Sequence, residues 1–130
     1  MRVLLPAGWP RPRGYSNGVA ARGEMVFVAG MVGWDAAGQF ASDTLAGQAR
    51  QALENVVAVL SEAGAKPEHI VRMTWYVLDK RAYLAAASEL GAIYREIIGS
   101  YNAAMSAVEV SALMEDAALV EIEVTAVVPD

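Results

Sequence analysis

A chain of 130 residues holds one domain and not a catalytic domain with a separate cofactor module, so it reads as a single domain over residues 1–130. No cysteine and a single histidine, His69, exclude thiol nucleophiles, thiolate zinc sites, iron–sulfur ligation and a multi-histidine metal centre within one chain. Its 10 basic residues against 15 acidic ones give a net charge of −5, which opposes a general grip on phosphate backbones and makes nucleic acid a poor partner.

Hydrophobic residues make up 55% and charged residues 19%. Typical soluble domains carry about 45–50% and about 25%. The surplus apolar surface calls for a partner, and copies of the same chain are the usual one. The longest apolar run, Met25 to Trp34, is ten residues long and holds two glycines. A membrane helix needs roughly 20. The opening Met1-Arg2-Val3-Leu4-Leu5-Pro6 is broken by proline, unlike a signal peptide, so the expectation is a soluble cytoplasmic protein without membrane attachment.

In chain order, Pro10-Arg11-Pro12-Arg13-Gly14 lacks the amide protons of a central strand and reads as an ordered arm. Extended segments at Gly18 to Ala21 and Glu24 to Met31 follow, joined as a hairpin by Arg22-Gly23. Met25 to Ala29 is apolar on both faces and is expected to be a central strand covered on each side. Leu45, Ala49, Ala52, Leu53, Val56, Val59, Leu60 and Ala63 carry helical spacing, with Asp43 or Thr44 as the N-cap and Gly64 as the stop.

Val71, Met73, Trp75 and Val77 alternate with Arg72, Thr74, Tyr76 and Leu78, the period of a strand with one buried face. A second helix is expected from Lys80 to Ile98, with Tyr83, Ala87, Leu90, Tyr94 and Ile97 on one stripe and Gly99 closing it. Ser106 to Val110 and Leu119 to Val128 complete the set as strands, the last turning Val120, Ile122, Val124 and Ala126 inward. The order β-β-α-β-α-β-β predicts an α+β fold, a mixed sheet with two helices on one face. Its other face is left for contact between subunits.

The residues permit little chemistry beyond carboxylates. His69 sits in the Pro67-Glu68-His69 connection, where a solvated loop histidine is the plain expectation. No glycine-rich phosphate loop is present. Trp9, Trp34 and Trp75 have the rings to stack on a planar ligand, but such residues are more often core or interface anchors. Glu121 and Glu123 share one face of the last strand. If a subunit contact buries that face, desolvation and mutual repulsion raise a carboxyl towards the range useful for proton exchange; otherwise the pair is an ordinary solvated strand face.

Four blocks together resemble the Rid/YjgF family of imine and enamine deaminases: Tyr15-Ser16-Asn17-Gly18-Val19, Met25-Val26-Phe27-Val28-Ala29-Gly30-Met31-Val32, Gln48 to Val56, and Val120-Glu121-Ile122-Glu123-Val124 with Ala126-Val127. The resemblance implies a chorismate-mutase-like α+β fold and a homotrimer with ligand clefts between subunits. It also implies hydrolysis of reactive 2-imino or 2-enamino acids to 2-oxo acids and ammonia, without metal or organic cofactor. Older family labels, endoribonuclease and translation inhibitor, sit badly with the acidic charge.

By the same resemblance Tyr15 is the cleft tyrosine, Gly30 the glycine whose backbone lines the pocket, and Glu121 the glutamate that orients the hydrolytic water. The family's Pro-Ala-Arg-Ser segment, whose arginine forks onto the substrate carboxylate, reads Ala103-Ala104-Met105-Ser106 here. A thioether has no donor to offer a carboxylate. Hydrogen bonds to charged groups contribute about 1.5–3 kcal/mol each, so losing two weakens capture by roughly two to four orders of magnitude. Arg13, two residues before Tyr15, is the candidate for a displaced guanidinium. Two functions follow: a trimeric hydrolase with weak or atypical imine or enamine turnover, Glu121 activating the water, or a non-catalytic trimer holding a small apolar or aromatic metabolite in the same cleft. Ribonuclease activity is disfavoured by charge.

Overall fold

The computed structural model describes residues 1–130. Strands β1 (Arg2–Leu4), β2 (Gly18–Ala20) and β3 (Glu24–Val32) are followed by helix α1 (Leu45–Glu62), a 3₁₀ turn (Pro67–His69) and β4 (Ile70–Val77). Helices α2 (Lys80–Ala85) and α3 (Ala87–Ile97), then β5 (Ala104–Glu109) and β6 (Val120–Val128), complete the chain. The main sheet runs β3-β6-β4-β5, with β4 and β5 parallel and the other neighbours antiparallel. This is the expected α+β architecture, with every helix in one layer. No helix is long and apolar enough to cross a membrane.

Alternation decides which strand faces are buried. Met73, Trp75 and Val77 of β4 and Val120, Ile122, Val124 and Ala126 of β6 all enter the core. Helix α1 covers β3 and β6 with Ala49, Ala52, Leu53, Val56 and Leu60, none of which retains accessible surface. Burying a leucine-sized side chain contributes about 1.5–3 kcal/mol, so this stripe is a main source of stability. Thr44, not Asp43, caps the helix: its Oγ1 accepts from the Gly47 N–H at 3.1 Å. Gly64 ends it with φ +69°, as its position predicts. Val59 and Ala63, expected on the buried stripe, are exposed; Val56, Leu60 and Ala65 take the core positions there.

Three expectations are corrected. The hairpin between Gly18–Ala21 and Glu24–Met31 does not form: β2 pairs with β1, Arg2 opposite Ala20, while β3 pairs with β6. A Cβ on Gly23 would overlap the Val128 carbonyl, so the chain there lies tight against the end of β6, which takes β3 as its neighbour. The segment Met25 to Ala29 is consequently an edge strand covered on one side, and Phe27 stands 71% exposed. The helix expected over Lys80 to Ile98 is broken at Ala86, whose N–H turns back to the Ala82 and Leu84 carbonyls. Asp79 caps the first piece through Arg81 N and Ala82 N, and nothing in the run Ala85-Ala86-Ala87 announces the break.

Candidate active site

A cleft of about 500 Å³ opens between the α2–α3 side of the helix layer and the β4–β5 side of the sheet. The N-terminal arm forms its lip. Ser16, buried, donates its N–H to the Ala103 carbonyl at 3.0 Å and its hydroxyl to the Asn102 carbonyl at 2.9 Å, tying the arm to the residues that open β5. That anchor brings Arg13 and Tyr15 to the same cleft as Met105. Met105 pairs in register with Met73, so its side chain lies on the helix face of the sheet. Trp75, Tyr83 and Tyr94 supply aromatic walls, and Trp75 meets Tyr83 edge-on at 6.0 Å between ring centres. Burial pushes the Tyr83 and Tyr94 phenols above their ordinary range, which keeps both neutral. Tyr94 Oη donates to the Tyr101 carbonyl at 2.9 Å.

Gly30 and Glu121 meet elsewhere. The Glu121 carboxyl lies across the bare Cα of Gly30: a Cβ there would stand 2.6 Å from Glu121 Oε2 and 2.8 Å from Cδ. Glycine is therefore required sterically wherever this carboxylate keeps its place. Neither residue lines the cleft of Tyr15 and Met105. Glu121 pairs with Tyr76, and Tyr76 with Val108, which is three residues from Met105 on β5. An odd separation along a strand reverses the face, so Glu121 and Met105 project from opposite sides of one sheet. The five expected site residues thus form two groups: Arg13, Tyr15 and Met105 in the cleft, Gly30 and Glu121 on the uncovered face.

That uncovered face carries Phe27, Arg72, Thr74 and Glu123 around a shallow hollow. Tyr76 Oη donates to Glu123 Oε1 at 2.5 Å, a charge-assisted bond that holds the phenol proton and raises its pKa. His69, expected as a solvated loop histidine, is instead half-buried and holds its own turn, its Nδ1 accepting from the Lys66 N–H at 2.9 Å.

Helix α1 fixes the loops around Glu121 from behind. Gln48 is buried, and its Nε2 donates to the Ser42 and Ala117 carbonyls at 3.0 and 2.9 Å. Its Oε1 accepts from the Leu119 N–H at 2.7 Å, two residues before Glu121. Asn55 donates to the Val32 and Trp34 carbonyls at 3.1 and 2.8 Å, holding the chain just after Gly30. Arg95 was not legible as a site residue from sequence, because the helical pattern assigns it to the solvated side of α3. It lines the cleft all the same, its Nη1 lying 3.3 Å from where a Gly91 Cβ would be. A glycine one turn before an arginine on an exposed helix face was the available signal.

Comparison with known proteins places this architecture among relatives. The family model described as Endoribonuclease L-PSP matches residues 10–128. A RutC family protein of Pyrococcus horikoshii is 33% identical over 126 residues, 95% of each chain. A 2-iminobutanoate/2-iminopropanoate deaminase of Salmonella typhimurium is 35% identical over 108 residues, 81% of this chain and 79% of that one. A crystal structure from Yersinia pestis, of a protein of unknown function in the conserved Rid family, superposes with a TM-score of 0.84 at 36% identity and covers 98% of both chains.

Proposed function

This chain belongs to the Rid/YjgF family, that of the endoribonuclease L-PSP domain, and from that premise we propose that it hydrolyses reactive imines or enamines in a cleft completed by a neighbouring copy. The observation that carries this reading is the division of the site. The cleft presents Arg13, Tyr15 and Met105, while Glu121 sits over Gly30 on the opposite face of the same sheet. A carboxylate so placed cannot serve its own chain's cleft. It can serve the cleft of a second copy packed against the uncovered face, where Met25 is 58% and Phe27 71% exposed and want cover. A closed ring of three copies gives each cleft one such neighbour.

In the reaction proposed, water adds to the carbon of the C=N bond, and Glu121 accepts the proton that the water loses. Starting from the protonated imine, this addition gives a neutral carbinolamine. Glu121 returns the proton to its nitrogen, and as the C–N bond breaks the hydroxyl proton passes back to Glu121, leaving a C=O group and ammonia. Tyr15 Oη donates to the substrate, and the Gly30 backbone lies beside the reacting carbon. Met105 gives no hydrogen bond to a carboxylate, so capture of the acid group falls to Arg13 and Arg95. A second reading is favoured by Met105 itself: a thioether among aromatic rings suits an apolar ligand held without turnover.

The test is ammonia release from freshly generated 2-iminobutyrate and 2-aminoacrylate by wild type, Glu121→Gln and Met105→Arg. The hydrolase reading expects turnover by wild type, a loss of about 10²–10⁴-fold in Glu121→Gln, the usual worth of a general base, and a gain in Met105→Arg. Turnover untouched by Glu121→Gln contradicts the assigned role. Thermal stabilisation by metabolites with no turnover at all supports the binding reading.

A further inference from the structure

We propose that the cleft between α2–α3 and β4–β5 is built for an aromatic carboxylate, with Arg13 and Arg95 taking the acid group and Trp75, Tyr83, Tyr94 and Met105 enclosing the ring. This rests on the preceding reading only in taking the cleft as the ligand site.

Charge is the first argument. The chain carries 15 acidic residues against 10 basic ones, yet two arginines and no acidic residue line this cleft. Neither arginine is neutralised within its own chain, where the one ion pair joins Arg50 to Glu96, and the carboxylate that a neighbouring copy would bring is one negative charge against two positive ones. Two unpaired guanidiniums in an acidic protein form a local field that draws an anion, and a planar carboxylate matches their donor geometry.

The walls give the second argument. A ligand meeting Tyr15, Trp75, Tyr83, Leu90, Tyr94 and Met105 is in contact with ring faces, ring edges and a polarisable sulfur, surroundings that suit a flat apolar body. The volume, about 500 Å³, lies inside the roughly 300–1,000 Å³ range of sites that enclose drug-sized molecules. A seven-heavy-atom acid such as 2-oxobutyrate leaves most of it to water. The neutral phenols of Tyr83 and Tyr94 do not repel an anion.

The experiment is isothermal titration of the full-length protein at neutral pH with three stable probes: 3-phenylpropionate, 2-oxobutyrate and the neutral 3-phenylpropan-1-ol. The expected result is binding of 3-phenylpropionate at least about tenfold tighter than either other probe, the worth of one charge-assisted contact or one buried ring. Arg95→Gln and Arg13→Gln, both at exposed positions that leave folding intact, are each expected to weaken 3-phenylpropionate about tenfold and to leave the alcohol unchanged. Equal or tighter binding of 2-oxobutyrate overturns the proposal. So does 3-phenylpropionate affinity indifferent to both arginine substitutions. No turnover enters these measurements: aromatic preference without ammonia release from any imine contradicts the hydrolase reading alone, whereas small-acid preference with ammonia release contradicts this inference alone.

Discussion

The two faces of the main sheet differ in what they have finished. On the helix side, α1 seals β3 and β6 with a stripe that keeps no accessible surface, and only the β4–β5 end stays open, as a cleft with two cationic residues and no acidic one. On the far side no helix lies: Glu123 and Phe27 stand exposed, and Glu121 is half-buried over Gly30. One face is a completed core with a prepared opening, and the other leaves apolar and acidic side chains without cover. The contrast teaches that the carboxylate proposed as catalytic stands on the face away from the cleft, so the proposed hydrolysis requires a second copy.

Substitutions separate the faces. The largest effect is expected from Gln48→Ala, which strips the Ser42 and Ala117 carbonyls and the Leu119 N–H of their buried partner. Leaving buried polar groups unsatisfied costs about 1–3 kcal/mol each, so a loss of about 2–5 kcal/mol in denaturant unfolding is expected after partial relaxation. An unchanged midpoint would refute the clamp. Gly30→Ala acts on one face only: its Cβ displaces the Glu121 carboxyl. It should lower ammonia release at least about tenfold, as misplacement of a general base does, while probe binding in the cleft is retained. Equal loss of binding and turnover would join what the structure separates.

The smallest effect is alkaline. Burial raises the Tyr83 and Tyr94 phenols above 10.0 in the folded protein, so the stability linked to them is present below that pH and is lost as pH rises through the higher folded values. The melting temperature should fall above about pH 10, the ordinary phenol pKa, and Tyr83→Phe should flatten that fall. No change of slope would place the alkaline loss elsewhere.

The sealed face was legible in the sequence and the open one only in part, for a physical reason. Period-two alternation in β4 and β6 and helical spacing in α1 report burial within one chain, and Trp75, Ile122 and Leu53 lie where those periods put them. Met25 to Ala29 carries the same apolar signal, but pattern alone does not say whether the cover comes from the chain or from a copy. The β1–β2 pairing was missed because three-residue strands carry too little alternation to read. Arg13, Tyr15 and Glu121 were found through the family resemblance, and the cleft holds the first two. That Glu121 projects away from the core was legible in the alternation of β6; that Met105 lies on the other face follows from strand register, which a sequence does not disclose.

Subunit mixing tests the division of the site most directly. Glu121→Gln removes the carboxylate, and Ala87→Trp fills the cleft from an exposed position on α3, so each variant alone is expected to be inactive. Unfolded together in equal amounts and refolded, the pair should regain about one quarter of the wild-type ammonia release, the share of interfaces at which random assembly sets an intact cleft beside an intact carboxylate. A mixture as inactive as its two parents would contradict a site shared between copies.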